Sequence, residues 1–431
     1  MKQKNLRFAW VSLWLNFLRA HFSTKIIIKA FVGAILISNF IYLSVFELKI
    51  LDFISPFLFL AGLCIVINLP RSGYFAAGFF VGILWFYWIS FSFVYYGLSW
   101  LIPLVILGIG IIYGALFLIA AFPSFVCLRA VVLFLISYVH PFGFNWLNFE
   151  AALTLGAFDP SARGLIFIFL AAICLVRLPK FYKLASILCL VFALQISSKE
   201  PHFLPFEVEL TQTSVAQKMR WDKQMKDEFI NRNLAMIDDA INSGKRLIIL
   251  PESAFPTFMT HERELQNELK EKSRRIAIVA GALAYENGQN YNSAFLFDGG
   301  RMQRFDKFIL VPFGEEIPLP SFIKDFVNHV FFGGASDFIG AKSVSDYEIE
   351  GVKIRSAVCY EATTDPLFAG DFSVMIAITN NGWFTPSTEP ALQRILLKYY
   401  ATKYGKTIYH AVNGSRSEII TPKRALINFK E

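Results

Sequence analysis

Apolar positions dominate residues 1–197, whereas residues 198–431 mix apolar and polar positions as a soluble domain does. A helix of about 20 apolar residues is long enough to cross a bilayer. Stretches of that kind lie near 26–46, 51–69, 74–96 and 102–122, and shorter or charge-containing ones near 124–140, 164–178 and 183–197. The pattern predicts a polytopic α-helical membrane domain of about seven spans over 1–197, followed by a second domain over 198–431.

Short β-type runs alternate with helical patterns in the second domain. This alternation predicts an α/β architecture built on layered sheets. Strands are predicted at 206–212, 246–250, 275–285, 291–297, 302–306, 352–358, 373–379, 407–412 and 417–421. Helices are predicted at 222–242 and 392–404, with a helix-like segment at 363–369.

Charge separates the two parts as clearly as hydropathy does. Residues 1–197 carry 13 Lys and Arg against 4 Asp and Glu, a net of +9, whereas residues 198–431 carry 28 against 29, a net of −1. The basic residues are therefore scattered between apolar spans and do not form a patch on a folded polar surface. That distribution argues against a nucleic-acid-binding protein.

Lys and Arg collect in the cytoplasmic loops of membrane proteins, so their distribution predicts the orientation. With seven spans, one side receives Lys2, Lys4, Arg7, Arg19, Lys25, Arg71, Arg177, Lys180 and Lys183. The opposite side receives Lys49, Arg163 and Lys199. We therefore expect a cytoplasmic N-terminus and a second domain outside the membrane, which is the periplasm in a bacterium.

Three residues of the second domain are candidates for chemistry, because each lies at or just beyond the end of a predicted strand. Cys359 is the single cysteine of this domain; Cys64, Cys127, Cys174 and Cys189 lie in apolar stretches, where packing is the expected role. Glu252 and Lys307 complete a possible nucleophile, base and electrostatic partner. Taken one at a time, they also fit a buried structural thiol, a helix-capping acid and a solvated lysine.

In this order, Glu252, Lys307 and Cys359 resemble the catalytic constellation of the nitrilase (carbon–nitrogen hydrolase) superfamily. Longer motifs are similar to those of one branch, the apolipoprotein N-acyltransferases. They are KFILVPFGEEIP at 307–318, TNNGWF at 379–384, Trp221 within KMRWD, HPFGFNWLNF at 140–149 and the aromatic stretch 85–96. The resemblance covers nearly the whole chain.

The resemblance implies an α-β-β-α sandwich for the second domain and a location in the bacterial inner membrane. It also implies transfer of a fatty acyl chain from a membrane phospholipid to the α-amino group of a diacylglyceryl-modified lipoprotein, without a cofactor. Cys359 is then the nucleophile that carries the acyl group as a thioester. Glu252 is the general base, and Lys307 stabilises the oxyanion together with a backbone N–H near Tyr360.

The same resemblance assigns supporting roles to further residues. Glu315 and Glu361 hold Lys307 or the substrate amine, and Tyr360, Trp221, Trp383 and Phe384 contribute to the substrate pocket. Without the resemblance, the two acids fit ordinary strand ends and the aromatic residues fit a core. Members of the branch usually end with a further membrane span, and no stretch after Lys398 is apolar enough to be one.

Two other functions are compatible with parts of the pattern. A membrane-tethered amidase would use the same three residues with water as the acceptor, but one anchor would suffice for it. An inactive membrane scaffold would be expected to have lost at least one of the three. The six histidines are scattered without the spacing of a zinc site, so no metal is expected.

Overall fold

The structure of the protein is a computed structural model that describes residues 23–220, 222, 224–318 and 338–425. The described chain forms two compact units. The helical unit contains residues 23–87, 102–139 and 147–196, and the sandwich unit contains 88–101, 140–146 and the described residues from 197 onward. Trp221, a predicted substrate-pocket residue, lies outside the described residues.

Seven α-helices are described in the helical unit. They are α1 (Thr24–Ser44), α2 (Lys49–Ile67), α3 (Arg71–Phe86), α4 (Ile102–Ala120), α5 (Val126–Ile136), α6 (Ala162–Arg177) and α7 (Ala185–Ala193). In the described part of the chain, five helical stretches are long and apolar enough to cross a membrane: Thr24–Ser44, Lys49–Ile67, Arg71–Val94, Ser99–Ala120 and Val126–Gly143. Helices α6 and α7 occupy the last two predicted spans but are shorter.

Glycines allow α3 and α4 to pack closely in the helical unit. A Cβ atom on Gly78 would lie 2.4 Å from the carbonyl oxygen of Tyr113, and one on Gly82 would lie 2.7 Å from the Tyr113 Cβ. Membrane helices use such small residues to bring their backbones together. Many large apolar side chains of the unit are exposed, such as Ile28, Leu104 and Leu188, as expected for a surface that faces lipid.

Twelve strands and four α-helices are described in the sandwich unit. The strands are β1 (Val208–Leu210), β2 (Gln212–Thr213), β3 (Leu247–Ile249), β4 (Phe255–Phe258), β5 (Ala277–Glu286), β6 (Gln289–Asp298), β7 (Arg301–Asp306), β8 (Asp346–Ile349), β9 (Val352–Val358), β10 (Val374–Asn380), β11 (Thr407–Asn413) and β12 (Glu418–Ile420). The helices are α8 (Gln217–Arg220), α9 (Lys226–Asn242), α10 (Arg263–Lys272) and α11 (Glu389–Tyr404).

The strands form two mixed sheets. The first has the order β1-β3-β5-β6-β7, with β4 also paired to β5, and the second has the order β12-β11-β10-β9-β8, with β2 paired to β11. Neighbours β1, β3 and β5 are parallel in the first sheet, as are β9, β10 and β11 in the second. The carboxyl ends of these parallel strands carry the loops discussed below.

Alternate side chains along a strand face different hydrophobic cores of this unit. Leu247 and Ile249 of β3 face a core between the sheets that also contains Ile376 and Ile378 of β10. Ile248 faces a second core, formed with α9 and α10. A third core packs α11 against the outer face of the second sheet. The layers are therefore helix, sheet, sheet and helix, which confirms the predicted sandwich.

Most predicted elements of the sandwich unit are present, and β9 has the predicted bounds. The sequence pattern missed β4, β8, α8 and α10. Pro256 interrupts the apolar pattern of β4, and β8 alternates with only two apolar positions. Helix α10 is strongly charged and buries only Leu265 and Leu269, so its apolar stripe is narrow. The segment predicted to be helix-like, 363–369, overlaps two 3₁₀-helices, Cys359–Thr363 and Asp365–Phe368.

Candidate active site

Three strand ends bring the predicted catalytic residues into one electrostatic neighbourhood. Glu252 follows β3 after Pro251, Lys307 directly follows β7, and Cys359 directly follows β9. Strands β3 and β7 belong to the first sheet and β9 to the second, so the two sheets contribute from opposite sides. Glu361 accepts from the backbone N–H groups next to Lys307 and Cys359, and Asn292 links the Lys307 N–H to the Glu252 carboxylate, so the three residues lie close together.

Cys359 has an unusual backbone conformation. Its φ of 56° lies in the left-handed region, which costs a non-glycine residue on the order of 1–3 kcal/mol and is common at active sites. Burial raises the pKa of the Cys359 thiol well above its ordinary value, Glu252 raises it further, and Lys307 opposes the shift. The thiol is therefore protonated at neutral pH and needs a base when it attacks.

Glu252 is a buried carboxylate held by two hydrogen bonds. Its Oε1 accepts from Asn292 Nδ2 at 2.8 Å, and its Oε2 accepts from the Asn380 backbone N–H at 2.8 Å. Burial raises the pKa of the Glu252 carboxyl group, while the positive charge of Lys307 acts in the opposite direction. A raised pKa makes this carboxylate a stronger base than an exposed glutamate.

Lys307 is 1% exposed and forms an ion pair in which its Nζ lies 2.7 Å from Glu315 Oε2. Burial acts to lower the pKa of the Lys307 ammonium, but Glu315, Cys359 and Glu252 outweigh it and the pKa is raised. The lysine therefore stays charged. Besides the ion pair, its ammonium has no hydrogen-bond partner among the described residues, so N–H donors remain for a substrate oxygen.

Asn292 is a central residue of the cluster that the sequence pattern missed. Its Nδ2 donates to Glu252 Oε1 at 2.8 Å and to Glu315 Oε1 at 2.7 Å, so one amide group links the two carboxylates. Its backbone oxygen accepts from the Lys307 N–H at 2.9 Å. The available signal was a polar pair, Asn292 and Ser293, at buried positions inside strand β6.

Glu361 joins the Lys307 loop to the Cys359 turn through the backbone. Its Oε1 accepts from the Val358 N–H at 2.7 Å, and its Oε2 accepts from the N–H groups of Phe308 and Ile309 at 2.7 and 3.1 Å. Burial raises the pKa of the Glu361 carboxyl group to about 7, although Lys307 and these donors act against the shift. Both of its oxygens accept hydrogen bonds from the protein, so Glu361 holds the Lys307 loop and the Cys359 turn together.

Tyr360, directly after Cys359, packs on the segment 140–146. Its ring stacks on Phe144 with centroids 5.6 Å apart, and its Oη lies 2.8 Å from Asn145 Oδ1. Trp146 Nε1 donates to Thr363 Oγ1 at 2.8 Å in the same turn. The structure thus places Tyr360 in a buried contact that fixes the Cys359 turn.

Trp383 and Phe384 contact the segment 88–101. The Trp383 ring lies 5.4 Å from that of Tyr95, and the Phe384 ring lies 4.9 Å from that of Trp88. Tyr95 Oη also donates to the Gly382 oxygen at 3.1 Å. These aromatic residues follow β10, whose last residue, Asn380, holds Glu252 through its backbone.

Glu389, at the start of α11, is a further buried acid that the sequence pattern missed. It is 1% exposed, and burial raises the pKa of its carboxyl group well above the ordinary value, with a further contribution from Glu252. An acid at the start of a helix is common, so its sequence position carries no signal for burial. In the part of the chain that the structure describes, no cluster of His, Cys, Asp and Glu could hold a metal ion.

Comparisons with known proteins cover both units. Residues 23–196 match the apolipoprotein N-acyltransferase integral membrane domain, and residues 212–406 match the carbon–nitrogen hydrolase family. An apolipoprotein N-acyltransferase of Wolinella succinogenes is 45% identical over 399 residues, which cover 91% of this chain and 95% of that protein. Those of Campylobacter jejuni and Helicobacter pylori are 40% and 35% identical, covering 93% of this chain and 90% and 93% of their own lengths.

Proposed function

The chain belongs to the apolipoprotein N-acyltransferase family, and we propose that it moves an acyl chain from a membrane phospholipid to a lipoprotein through a thioester on Cys359. As a member of this family it is a membrane-bound acyltransferase of lipoprotein N-acylation. The proposed acceptor is the α-amino group of an N-terminal cysteine that already carries an S-diacylglyceryl group.

In the first half-reaction the Cys359 sulfur attacks the ester carbonyl of the phospholipid. Glu252 takes the thiol proton, because the thiol is protonated at rest and its raised pKa prevents spontaneous ionisation. The negative charge on the tetrahedral intermediate is stabilised by the Lys307 ammonium and a backbone N–H near Tyr360. The intermediate collapses, and Glu252 returns the proton to the departing glycerol oxygen. The lysophospholipid is released, and the acyl chain remains on Cys359 as a thioester.

In the second half-reaction the neutral α-amine of the lipoprotein attacks this thioester. Glu252 accepts a proton from the amine as the new amide bond forms, and the Cys359 sulfur leaves as the thiolate. Transfer of that proton from Glu252 to the sulfur restores the starting state. The two substrates thus react in succession with one nucleophile, a ping-pong cycle without a cofactor.

The buried cluster of Glu252, Lys307 and Asn292 beside Cys359 is the observation that carries the chemical part of this proposal. Its lipid part is supported by the segments 88–101 and 140–146. They are aromatic, they connect apolar helices in the chain, and they pack on residues next to the site. An amidase acting on small soluble amides has no need of such segments.

We further propose that the protein lies in the bacterial inner membrane with a cytoplasmic N-terminus and a periplasmic sandwich unit. If all seven predicted spans cross the membrane, the excess of Lys and Arg in the loops on one side supports this orientation. Labelling of single cysteines placed at Lys25 and Lys199, with a membrane-impermeant thiol reagent on intact spheroplasts, tests the assignment.

The function is tested by supplying the full chain with phospholipid labelled in its acyl chain and a peptide with an S-diacylglyceryl N-terminal cysteine. We expect labelled N-acyl peptide with the unmodified chain and none with Cys359→Ala. Cys127→Ala, which removes an exposed thiol of the helical unit, is the matched control and stays active. Release of labelled fatty acid into water at the same rate with or without peptide would instead favour a hydrolase.

A further inference from the structure

Arg220 is a buried arginine whose hydrogen bonds are incomplete. It is 3% exposed and closes the short helix α8. Its Nη1 donates to the backbone oxygens of Glu252 and Ser253, the first of them at 3.2 Å. Its Nε and Nη2 have no hydrogen-bond partner among the described residues, although both atoms are buried.

A buried cation without a paired anion is costly, by several kcal/mol. The carboxylate that acts on Arg220 is that of Glu252, but its two oxygens accept from Asn292 and the Asn380 N–H. Burial lowers the pKa of the Arg220 guanidinium to about 10, so the side chain keeps its charge at neutral pH. The structure thus retains a charged group for which the described protein supplies no counter-ion contact.

The two unpaired atoms lie on one edge of the guanidinium group. Nε and Nη2 present two nearly parallel N–H bonds, and this edge is the one that binds two oxygens of a carboxylate or phosphate group. Nη1, on the other side, is already occupied by the two carbonyl oxygens. The free edge therefore has the geometry for bidentate binding of an oxyanion.

Arg220 lines a small, partly open pocket together with Arg232, Thr213, Asn233 and Ser253, and Ser253 follows Glu252 in the chain. Arg232 is an exposed residue of α9, so the pocket has a buried cation and an accessible one. Among the described residues that line it, none is acidic. We propose that this pocket is a binding site for a phosphate group, which Arg220 binds through two hydrogen bonds while Arg232 supplies a second positive charge.

Two sources can supply a phosphate group. One is the headgroup of the phospholipid donor, an assignment that rests on the proposed function and would place the headgroup beside the loop that carries Glu252. The other is free phosphate, which would bind whatever the reaction is. Both contain two or more equivalent oxygens that match the free edge of Arg220. Binding of inorganic phosphate and use of a phosphate-free acyl donor separate them.

The test uses the full chain in detergent and four forms of it: unmodified, Arg220→Gln, Arg232→Gln and the control Arg274→Gln. Arg274 is an exposed arginine with an ion pair to Glu271. Inorganic phosphate is titrated by calorimetry, and the rate of acyl-enzyme formation is measured with a phospholipid and with a 4-nitrophenyl ester of the same fatty acid. We expect Arg220→Gln to weaken phosphate binding about 10- to 100-fold and Arg232→Gln about 3- to 10-fold, with no change in the control.

The donor comparison identifies the source of the phosphate group. A loss of rate with phospholipid but not with the 4-nitrophenyl ester, in both pocket variants, assigns the headgroup. Weakened phosphate binding with an unchanged ratio of the two rates assigns free phosphate. Equal phosphate binding in all four forms overturns the proposal. If acyl-enzyme formation in Arg220→Gln alone is then slower with both donors, Arg220 only positions Glu252. Absence of acyl-enzyme with every donor contradicts the proposed function, while the titration still decides the site.

Discussion

The side-chain amide of Asn292 donates a hydrogen bond of 2.8 Å to the carboxylate of Glu252, in the buried interior of the site. The same nitrogen also donates to Glu315, the ion-pair partner of Lys307. One neutral side chain therefore fixes the distance between the proposed base and the carboxylate that holds the lysine. Asn292 acts through these residues, as a positioning residue.

Replacement of Asn292 by Ala removes a donor that two buried carboxylates share. Loss of a hydrogen bond to a charged group costs about 1.5–3 kcal/mol, so kcat/KM should fall about 10- to 100-fold. Steady-state transfer of labelled acyl chains to a peptide measures the change. The control Asn242→Ala changes an exposed residue at the end of α9 and should keep full activity. Wild-type activity in Asn292→Ala would contradict the assigned role.

The negative charge of Glu315 should influence how the activity depends on pH. Burial raises the pKa of Glu252, Lys307 lowers it, and Glu315 raises it. As the proposed base, Glu252 must be ionised, so activity should fall as pH drops through its pKa. Glu315→Gln removes a negative neighbour, which favours ionised Glu252, lowers its pKa and moves the acidic limb to lower pH.

The maximal rate of Glu315→Gln should also fall by about 10- to 100-fold, because Lys307 loses its ion-pair partner. A pH profile of single-turnover acyl-enzyme formation measures both effects. Glu316→Gln, the exposed neighbour in sequence, is the matched control and should leave the acidic limb in place. A limb that moves to higher pH in Glu315→Gln would refute the assignment of Glu252 as the titrating base.

Gly281 of β5 lies directly against the loop that carries Glu252. A Cβ atom at this position would lie 2.6 Å from Glu252 Cα and 2.6 Å from Ser253 N, which is too close for either backbone atom to remain in place. Gly281→Ala should therefore move Glu252 and lower activity about 100-fold, as expected for a displacement near 1 Å. Overpacking should also destabilise the fold by about 1–3 kcal/mol.

Gly108 provides the control for this substitution, because a Cβ atom there meets no atom within 4 Å. Gly108→Ala should keep activity and thermal stability. The two variants are compared by peptide acylation and by thermal unfolding in the same detergent. Equal activity in both would show that the Glu252 loop tolerates displacement.

Much of the sandwich unit could be predicted from sequence because its strands are short apolar runs that end in distinctive residues. Glu252, Lys307 and Cys359 each lie within a few residues of such a strand end, and their resemblance in this order to the nitrilase constellation predicts a shared site. Asn292 carries no such signal, since it lies inside β6 and its partners are 40 and 23 residues away in sequence. Their proximity arises only from the pairing and packing of the sheets.

The segments 88–101 and 140–146 show a second limit of sequence analysis. Their composition resembles that of the neighbouring spans, and hydropathy does not distinguish a surface that packs on lipid from one that packs on protein. The structure groups both with the sandwich unit through contacts such as Trp88 with Phe384 and Asn145 with Tyr360. Such contacts join residues more than 200 positions apart, beyond the reach of local patterns.

The contact between Tyr360 and Asn145 should contribute to the stability of the Cys359 turn. Tyr360→Phe keeps the ring stacked on Phe144 but removes the hydroxyl group, at a cost of about 0.5–1.5 kcal/mol. A double-mutant cycle with Asn145→Ala should give a coupling energy of at least about 0.5 kcal/mol in unfolding measurements. Tyr285→Phe, at an exposed tyrosine, serves as the reference, and its effect on the free energy of unfolding should simply add to that of Asn145→Ala. Strictly additive changes in the free energy of unfolding for Tyr360→Phe and Asn145→Ala would contradict the contact.

Cys359 is proposed to carry the acyl chain, and intact mass spectrometry after incubation with phospholipid alone would detect that adduct. We predict an added mass of one fatty acyl chain that hydroxylamine removes, that a diacylglyceryl-cysteine peptide discharges and that Cys359→Ala lacks. Cys64→Ala, which removes a thiol of the helical unit, should still acquire it. A folded chain that transfers acyl groups to the peptide but never shows this adduct, even in a rapid quench, would contradict the proposed role of Cys359.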